Sequence, residues 1–169
     1  MAKIILICGK ICSGKTTYAK NIMEKNKAVL LSVDEITLTL FGQHLGNRHE
    51  EIAEKTEKYL YKKSVEIISL GINVIFDWGF WRKSQRKYAA EYFGNLGINI
   101  EWHYIDVDNE IWEKYVQKRN NTIENCSENN YFIDENIARK FWNNFEEPQK
   151  EEINIWYRNN FGGYFENHI

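Results

Sequence analysis

The chain has 169 residues, 43% of them hydrophobic and 27% charged, which suits one well-buried α/β domain of a soluble globular protein. A single proline and an aromatic share of 15% exclude a disordered or linker-rich chain. A formal charge of −2 gives no basic excess to point at a nucleic acid, and no apolar run approaches the ~20 residues of a membrane span.

The first apolar run, Ile4-Ile5-Leu6-Ile7-Cys8, is short, rich in β-branched residues and stops at Gly9. That is the pattern of a strand buried on both faces of a parallel sheet. Residues 15–24 then turn helical, and Ala28-Val29-Leu30-Leu31-Ser32-Val33 reads as a second strand that stops at Asp34-Glu35. Residues 48–70 carry Ile52, Thr56, Tyr59, Leu60 and Ile67 near helical spacing, with Gly71 as a C-terminal stop. Asn73-Val74-Ile75-Phe76-Asp77 is a third buried strand ending in a carboxylate. A helix over residues 81–96, a strand over 98–105 and a helix over 109–119 follow. Residues 120–130 are polar and low in complexity, the mark of a loop. A last helix is expected over 134–145. The aromatic tail, 151–169, has no clear period, and an edge strand is expected at 153–157.

Strands alternating with helices predict an α/β fold with a parallel sheet of about four or five strands, helices on both faces, and ligand at the carboxyl ends of the strands. Gly9, Asp34 and Asp77 each stand where a strand stops. They are expected to share one site.

Gly9-Lys10-Ile11-Cys12-Ser13-Gly14-Lys15-Thr16 matches Gly-x4-Gly-Lys-Thr in full, after a strand and before a helix. The glycines let backbone N–H groups turn inward onto phosphate oxygens, and the helix N-terminus adds partial positive charge. Residues 9–17, through Thr17, are the expected nucleotide cradle. Lys15 would bridge the β- and γ-phosphates, and the Thr16 hydroxyl would coordinate Mg²⁺. Asn26-Lys27-Ala28-Val29 lacks the Asp of a guanine-reading motif, so ATP and a small kinase are expected rather than a GTPase. Cys8, Cys12 and Cys126 show neither paired nor metal-type spacing. Read as reduced thiols, and with only five apolar residues between Lys3 and Gly9, they predict a cytoplasmic protein. The four histidines show no metal spacing either.

From residue 3 to 148 the chain resembles P-loop kinases related to zeta toxin, chloramphenicol phosphotransferase and the 5′-hydroxyl polynucleotide kinases. The phosphate loop carries the resemblance, together with Ser32-Val33-Asp34-Glu35, then Asp77-Trp78-Gly79-Phe80 with Arg82 and Arg86, then Lys118-Arg119-Asn120. The stretch ending Phe145-Glu146-Glu147-Pro148 is similar to this group's AAA-type ATP-binding members. The resemblance implies a three-layer, nucleoside-kinase-like P-loop domain over 1–169 with a short lid at about 119–131. It makes Asp34 the catalytic base and Arg119 the lid cation, with Lys118 and Arg139 as substitutes. Asp34 could instead be an N-cap, Asp77 either a metal-site carboxylate or a strand-end turn residue, and Arg119 an exposed helix-end cation. Trp78, Phe80 and Trp81 either wall an acceptor pocket or anchor the next helix to the sheet. Arg82 and Arg86 read as a solvated helix face.

Polynucleotide kinases carry an arginine three residues after the base carboxylate, where this chain has Thr37, and differ at Gly79. The expected reaction is therefore transfer of the ATP γ-phosphate to a hydroxyl of a small molecule such as an antibiotic, sugar derivative or nucleoside. A 5′-hydroxyl RNA or DNA end is the second acceptor. A non-catalytic ATP-binding regulator is the third reading.

Overall fold

A computed structural model describes residues 1–42, 48–113, 116, 139 and 143–160. Five strands, β1 (Lys3–Cys8), β2 (Ala28–Ser32), β3 (Asn73–Asp77), β4 (Asn99–Asp106) and β5 (Ile155–Arg158), form one sheet in the order β2-β3-β1-β4-β5. Every pairing is parallel. The helices are α1 (Lys15–Met23), α2 (Val33–Phe41), α3 (His49–Ser69) and α4 (Lys83–Asn95). Residues 109–113 are also helical.

The alternation of side chains along β1 explains the layers. Ile4, Leu6 and Cys8 join Phe76 and Trp102 on one face, against Leu60 and Tyr61 of α3 and Ala89 and Phe93 of α4. Ile5 and Ile7 join Ile75 and Ile105 on the other, against Tyr18 and Ala19 of α1. Ile4 to Ile7 are all 0% exposed. Each side chain of that size contributes ~1.5–3 kcal/mol on burial, so the strand beneath the phosphate loop is held from both sides.

One element departs from the sequence reading. The second strand stops at Ser32, and α2 starts at once with Val33, where no helix is expected. Val33, Ile36, Thr37 and Thr39 are β-branched and poor helix formers. Tertiary packing and a cap outweigh that preference: the Ser32 hydroxyl accepts the Glu35 N–H at 3.3 Å, and Val33 and Ile36 join the α3-side core.

The aromatic tail supplies β5, in register with β4. Its lack of visible period arises because its rings serve different neighbours. Trp156 packs edge-on against Tyr104 at 4.6 Å, and Tyr157 lies 4.9 Å from Tyr18 of α1. The lid expected at 119–131, with Lys118, Arg119 and Cys126, lies outside the described residues, as does most of the helix expected at 134–145. Arg139 is described and exposed. Among the described residues no helix is long and apolar enough to cross a membrane.

Candidate active site

The phosphate loop joins β1 to α1 through three left-handed or extended positive-φ turns: Gly9 at φ 155°, Cys12 at 57° and Gly14 at 91°. Gly9 is required for a further reason. A Cβ there would lie 2.8 Å from the Ile105 carbonyl oxygen and 2.9 Å from the Ser13 Oγ. Gly14 is the N-cap of α1 and has no side chain, so the first-turn amides receive no side-chain cap. The Lys15 ammonium turns back over the loop, donating to the carbonyls of Gly9 at 3.1 Å and Lys10 at 2.6 Å. The Ser13 N–H also donates to the Lys10 carbonyl, at 3.2 Å. The fully buried Ser13 hydroxyl has no hydrogen-bond partner among the described residues. Lys10 reaches outward to the Asn109 side-chain oxygen at 3.4 Å, while Thr16 and Thr17 stand exposed in the first turn of α1.

Register brings the carboxylates to this loop. Asp77 is paired laterally with Ile7 of β1 and Ser32 of β2, so it points to the α1 face. There it accepts a hydrogen bond from the Thr16 side chain. Asp77 is 4% exposed, and burial pushes its carboxyl pKa up. The Thr16 bond and the Lys15 charge pull it back down, whereas the Asp34 charge raises it further. Lys15, Thr16 and Asp34 therefore all lie within electrostatic reach of Asp77. The N-cap alternative for Asp34 does not hold, because Ser32 is the cap and Asp34 sits exposed in the first helical turn. Asp77 is bonded to Thr16 rather than only to its own turn.

Two braces on the loop carry no signal in the sequence. The Trp112 indole donates to the Ile11 carbonyl at 2.7 Å, and the Asn159 side-chain amide donates to the Ser13 carbonyl at 2.8 Å. Cys12 is buried with Val107, Trp112 and Val116, which shields its thiol. Below, Tyr18 of α1 donates to the buried His103 Nδ1 at 3.0 Å, and His103 Nε2 meets Glu101 at 2.7 Å. Burial lowers the His103 pKa, so its ring acts as a neutral strut under α1.

The segment after β3 settles the aromatic question in part. Trp78 stacks on Phe76 at 4.3 Å and on Phe80 at 5.0 Å, so these rings anchor the segment to the core. Phe80 has φ 44°, a strained value for an aromatic residue. The Gly79 carbonyl accepts the Gly9 N–H at 3.2 Å, and a Cβ on Gly79 would collide with the Trp81 indole at 1.9 Å. Arg82 is exposed, as expected. Arg86 is not: it is 4% exposed and donates to the carbonyls of Phe80 at 3.1 Å and Glu146 at 2.9 Å and to Glu152 at 3.1 Å. Two of those acceptors, Glu146 and Glu152, come from segments distant in sequence, which is why a helix-face reading of Arg86 fails.

The cradle a Cβ would fill at Gly9, the orphaned Ser13 hydroxyl and the uncapped start of α1 fit a bound polyphosphate. A hydroxyl and two carboxylates beside it fit Mg²⁺, which binds few protein ligands and keeps several waters. Among the described residues no three His, Cys, Asp or Glu side chains cluster as a metal site of their own.

Solved structures share this architecture. A sugar kinase from Janibacter sp. HTCC2649 superposes with a TM-score of 0.64 at 13% identity, over 94% of this chain and 86% of that one. Chaetomium thermophilum Kti12, in complex with ADP-AlF3, gives 0.69 at 16% identity over 94% and 89%. A chain of the Pnkp1/Rnl/Hen1 RNA repair complex gives 0.67 at 20% identity over 85% and 43%. At these identities the likeness is one of fold. No curated protein matches the chain. The family model described as AAA domain matches residues 4–148, most of the sequence, and the chain accordingly belongs to that family of P-loop nucleotide-binding proteins.

Proposed function

We propose that the protein is an ATP- and Mg²⁺-dependent kinase that phosphorylates a hydroxyl group of a small molecule. The observation that supports this is that Asp77, at the carboxyl end of β3, is hydrogen-bonded to Thr16 and feels the charges of Lys15 and Asp34. A cation and two carboxylates near the phosphate loop are a set that in-line phosphoryl transfer can use. The likeness to a sugar kinase structure supports the reading.

On this reading the amides of residues 9–17 and the Lys15 ammonium hold the β- and γ-phosphates. Lys15 exchanges its two loop carbonyls for phosphate oxygens. Thr16 and Asp77 would hold Mg²⁺, which would supply charge neutralisation for the transferring group. Asp34 accepts the acceptor's O–H proton as that oxygen bonds to the γ-phosphorus and the bond to the β–γ bridging oxygen breaks, releasing ADP. Arg119 would supply a further cation.

Thr37 supports a small acceptor over a nucleic-acid end. It is 1% exposed, and its hydroxyl is bonded to the carbonyls of Val33 at 2.9 Å and Asp34 at 3.2 Å. The position that would carry a phosphate-holding arginine is thus turned into the core. The likeness to an RNA repair complex keeps the nucleic-acid reading as the alternative.

The test is transfer from γ-labelled ATP with Mg²⁺ to a panel of antibiotics, sugars, nucleosides and 5′-hydroxyl oligonucleotides. Lys15→Ala should abolish nucleotide binding, and Asp34→Asn should keep it while losing ~10²–10⁴-fold in transfer. Full turnover in Asp34→Asn would remove Asp34 from the base role. Labelling of oligonucleotides with a steep salt dependence would favour the alternative. Nucleotide binding with no transfer to any acceptor would point to a regulator.

A further inference from the structure

A groove of about 280 Å³ opens between α3 and the start of α4, lined by Glu57, Tyr61, Trp78, Phe80, Gln85 and Tyr88. Its place in the fold ties it to the phosphate site. β3 runs parallel to β1, and α3 leads into it, so the first half of α3 lies toward the carboxyl edge of the sheet. The first turns of α4, which follow β3, lie there too. Trp78 directly follows Asp77, and Trp78 and Phe80 flank Gly79, whose carbonyl accepts the Gly9 N–H of the phosphate loop.

The charge in this groove is unbalanced. Glu54 is paired with Lys58 at 2.7 Å on the same helix. Glu57 is half-buried and has no hydrogen-bond or ion-pair partner among the described residues. Burial, with a smaller push from Glu54, raises its carboxyl pKa to about 7. A lone carboxylate set among aromatic rings is costly unless a cation meets it. The exposed ring of Tyr88 can itself attract an ammonium group, above a floor made by the buried rings of Tyr61, Trp78 and Phe80. The volume lies just below the usual range of drug-sized ligand cavities, which suits a small acceptor.

We propose that this groove is the acceptor subsite and that the acceptor is a hydroxyl compound bearing an ammonium group, held by the Glu57 carboxylate among the rings of Tyr61, Trp78, Phe80 and Tyr88. The proposal rests on the kinase reading for the word acceptor. The binding it describes does not.

Matched probe pairs test it by isothermal titration of the full chain at pH 8, where Glu57 is ionised. Choline is compared with 3,3-dimethylbutan-1-ol, and glucamine with glucitol, so that each pair differs in charge. At least one cation should bind roughly tenfold or more tightly than its neutral twin. Glu57→Gln should erase that preference, with affinity for a non-hydrolysable ATP analogue as the control for folding. At pH 7, cation binding should release protons from Glu57, seen as buffer-dependent heats that vanish in Glu57→Gln. The other titratable groups at the groove are Glu54, Lys58 and Tyr61 of α3 and Tyr88 of α4, and none of them is altered in that variant. Equal affinity for charged and neutral twins, a preference that survives Glu57→Gln, or no binding by any probe would each overturn the assignment. Cation binding without ATP consumption would leave the subsite standing and sink the kinase reading. Transfer to neutral compounds alone would do the reverse.

Discussion

Arg86→Met removes a guanidinium that joins three parts of the chain while keeping much of its aliphatic bulk. In the folded protein its Nη1 donates to the Phe80 and Glu146 carbonyls at 3.1 and 2.9 Å, and its Nε donates to Glu152 at 3.1 Å. Glu152 is the least affected partner, since its side chain is 29% exposed and Lys83 lies 3.8 Å away. The two carbonyls lose a charged donor, at ~1–3 kcal/mol each where burial denies them water. Deleting one member of such a buried network costs ~3–5 kcal/mol overall. With a urea m-value of ~2 kcal/mol/M, the unfolding midpoint should fall by about 1.5–2.5 M. Arg86→Lys keeps the charge but not the planar fork, and should fall between wild type and Arg86→Met. Far-UV circular dichroism and intrinsic fluorescence in urea measure both. A loss under ~1 kcal/mol for Arg86→Met would mean that Arg86 is a solvated helix-face residue after all, and the account of the segment after β3 would be wrong.

Gly9→Ala should cost ~2–4 kcal/mol and weaken ADP binding more than about tenfold, because its Cβ meets the Ile105 carbonyl oxygen at 2.8 Å with little room to yield. Gly97→Ala is the control: its φ is also positive, at +66°, but nothing lies within 4 Å, so only ~1 kcal/mol and no nucleotide affinity should be lost. Equal effects of the two would show that close approach at Gly9 does not matter. Glu57 makes a pH-dependent prediction. Its folded pKa of about 7 lies above the ordinary 4.5, so its protonated form favours the fold. That contribution is present below pH ~4.5 and is lost as pH rises through 7. Glu57→Gln escapes the loss and should be ~1–3 kcal/mol more stable than wild type at pH 8, with a smaller gap at pH 4.5. Denaturant unfolding at the two pH values measures it, and a gap that does not change with pH would contradict the burial of an unpaired carboxylate.

Several features of the site are local and so were readable along the chain. An apolar run, a glycine that must take positive φ, and a helix start compose the phosphate loop from adjacent residues. The strand-end position of Asp77 follows from the same kind of pattern. Asp34 stands two residues beyond the end of β2, in a helix that its β-branched residues hide, because the stability of that helix comes from Ser32 and from α3.

The sequence by itself determined the phosphate-loop motif and the α/β class, since both depend on the short-range conformation and periodicity of neighbouring residues. Only the tertiary structure decided the strand order, the clasp of Trp112 and Asn159 on the loop, the burial of Arg86 and the isolation of Glu57. Strands pair through backbone groups common to every residue. The worth of a buried charge depends on which distant atoms surround it, and neither is written in any local run of side chains.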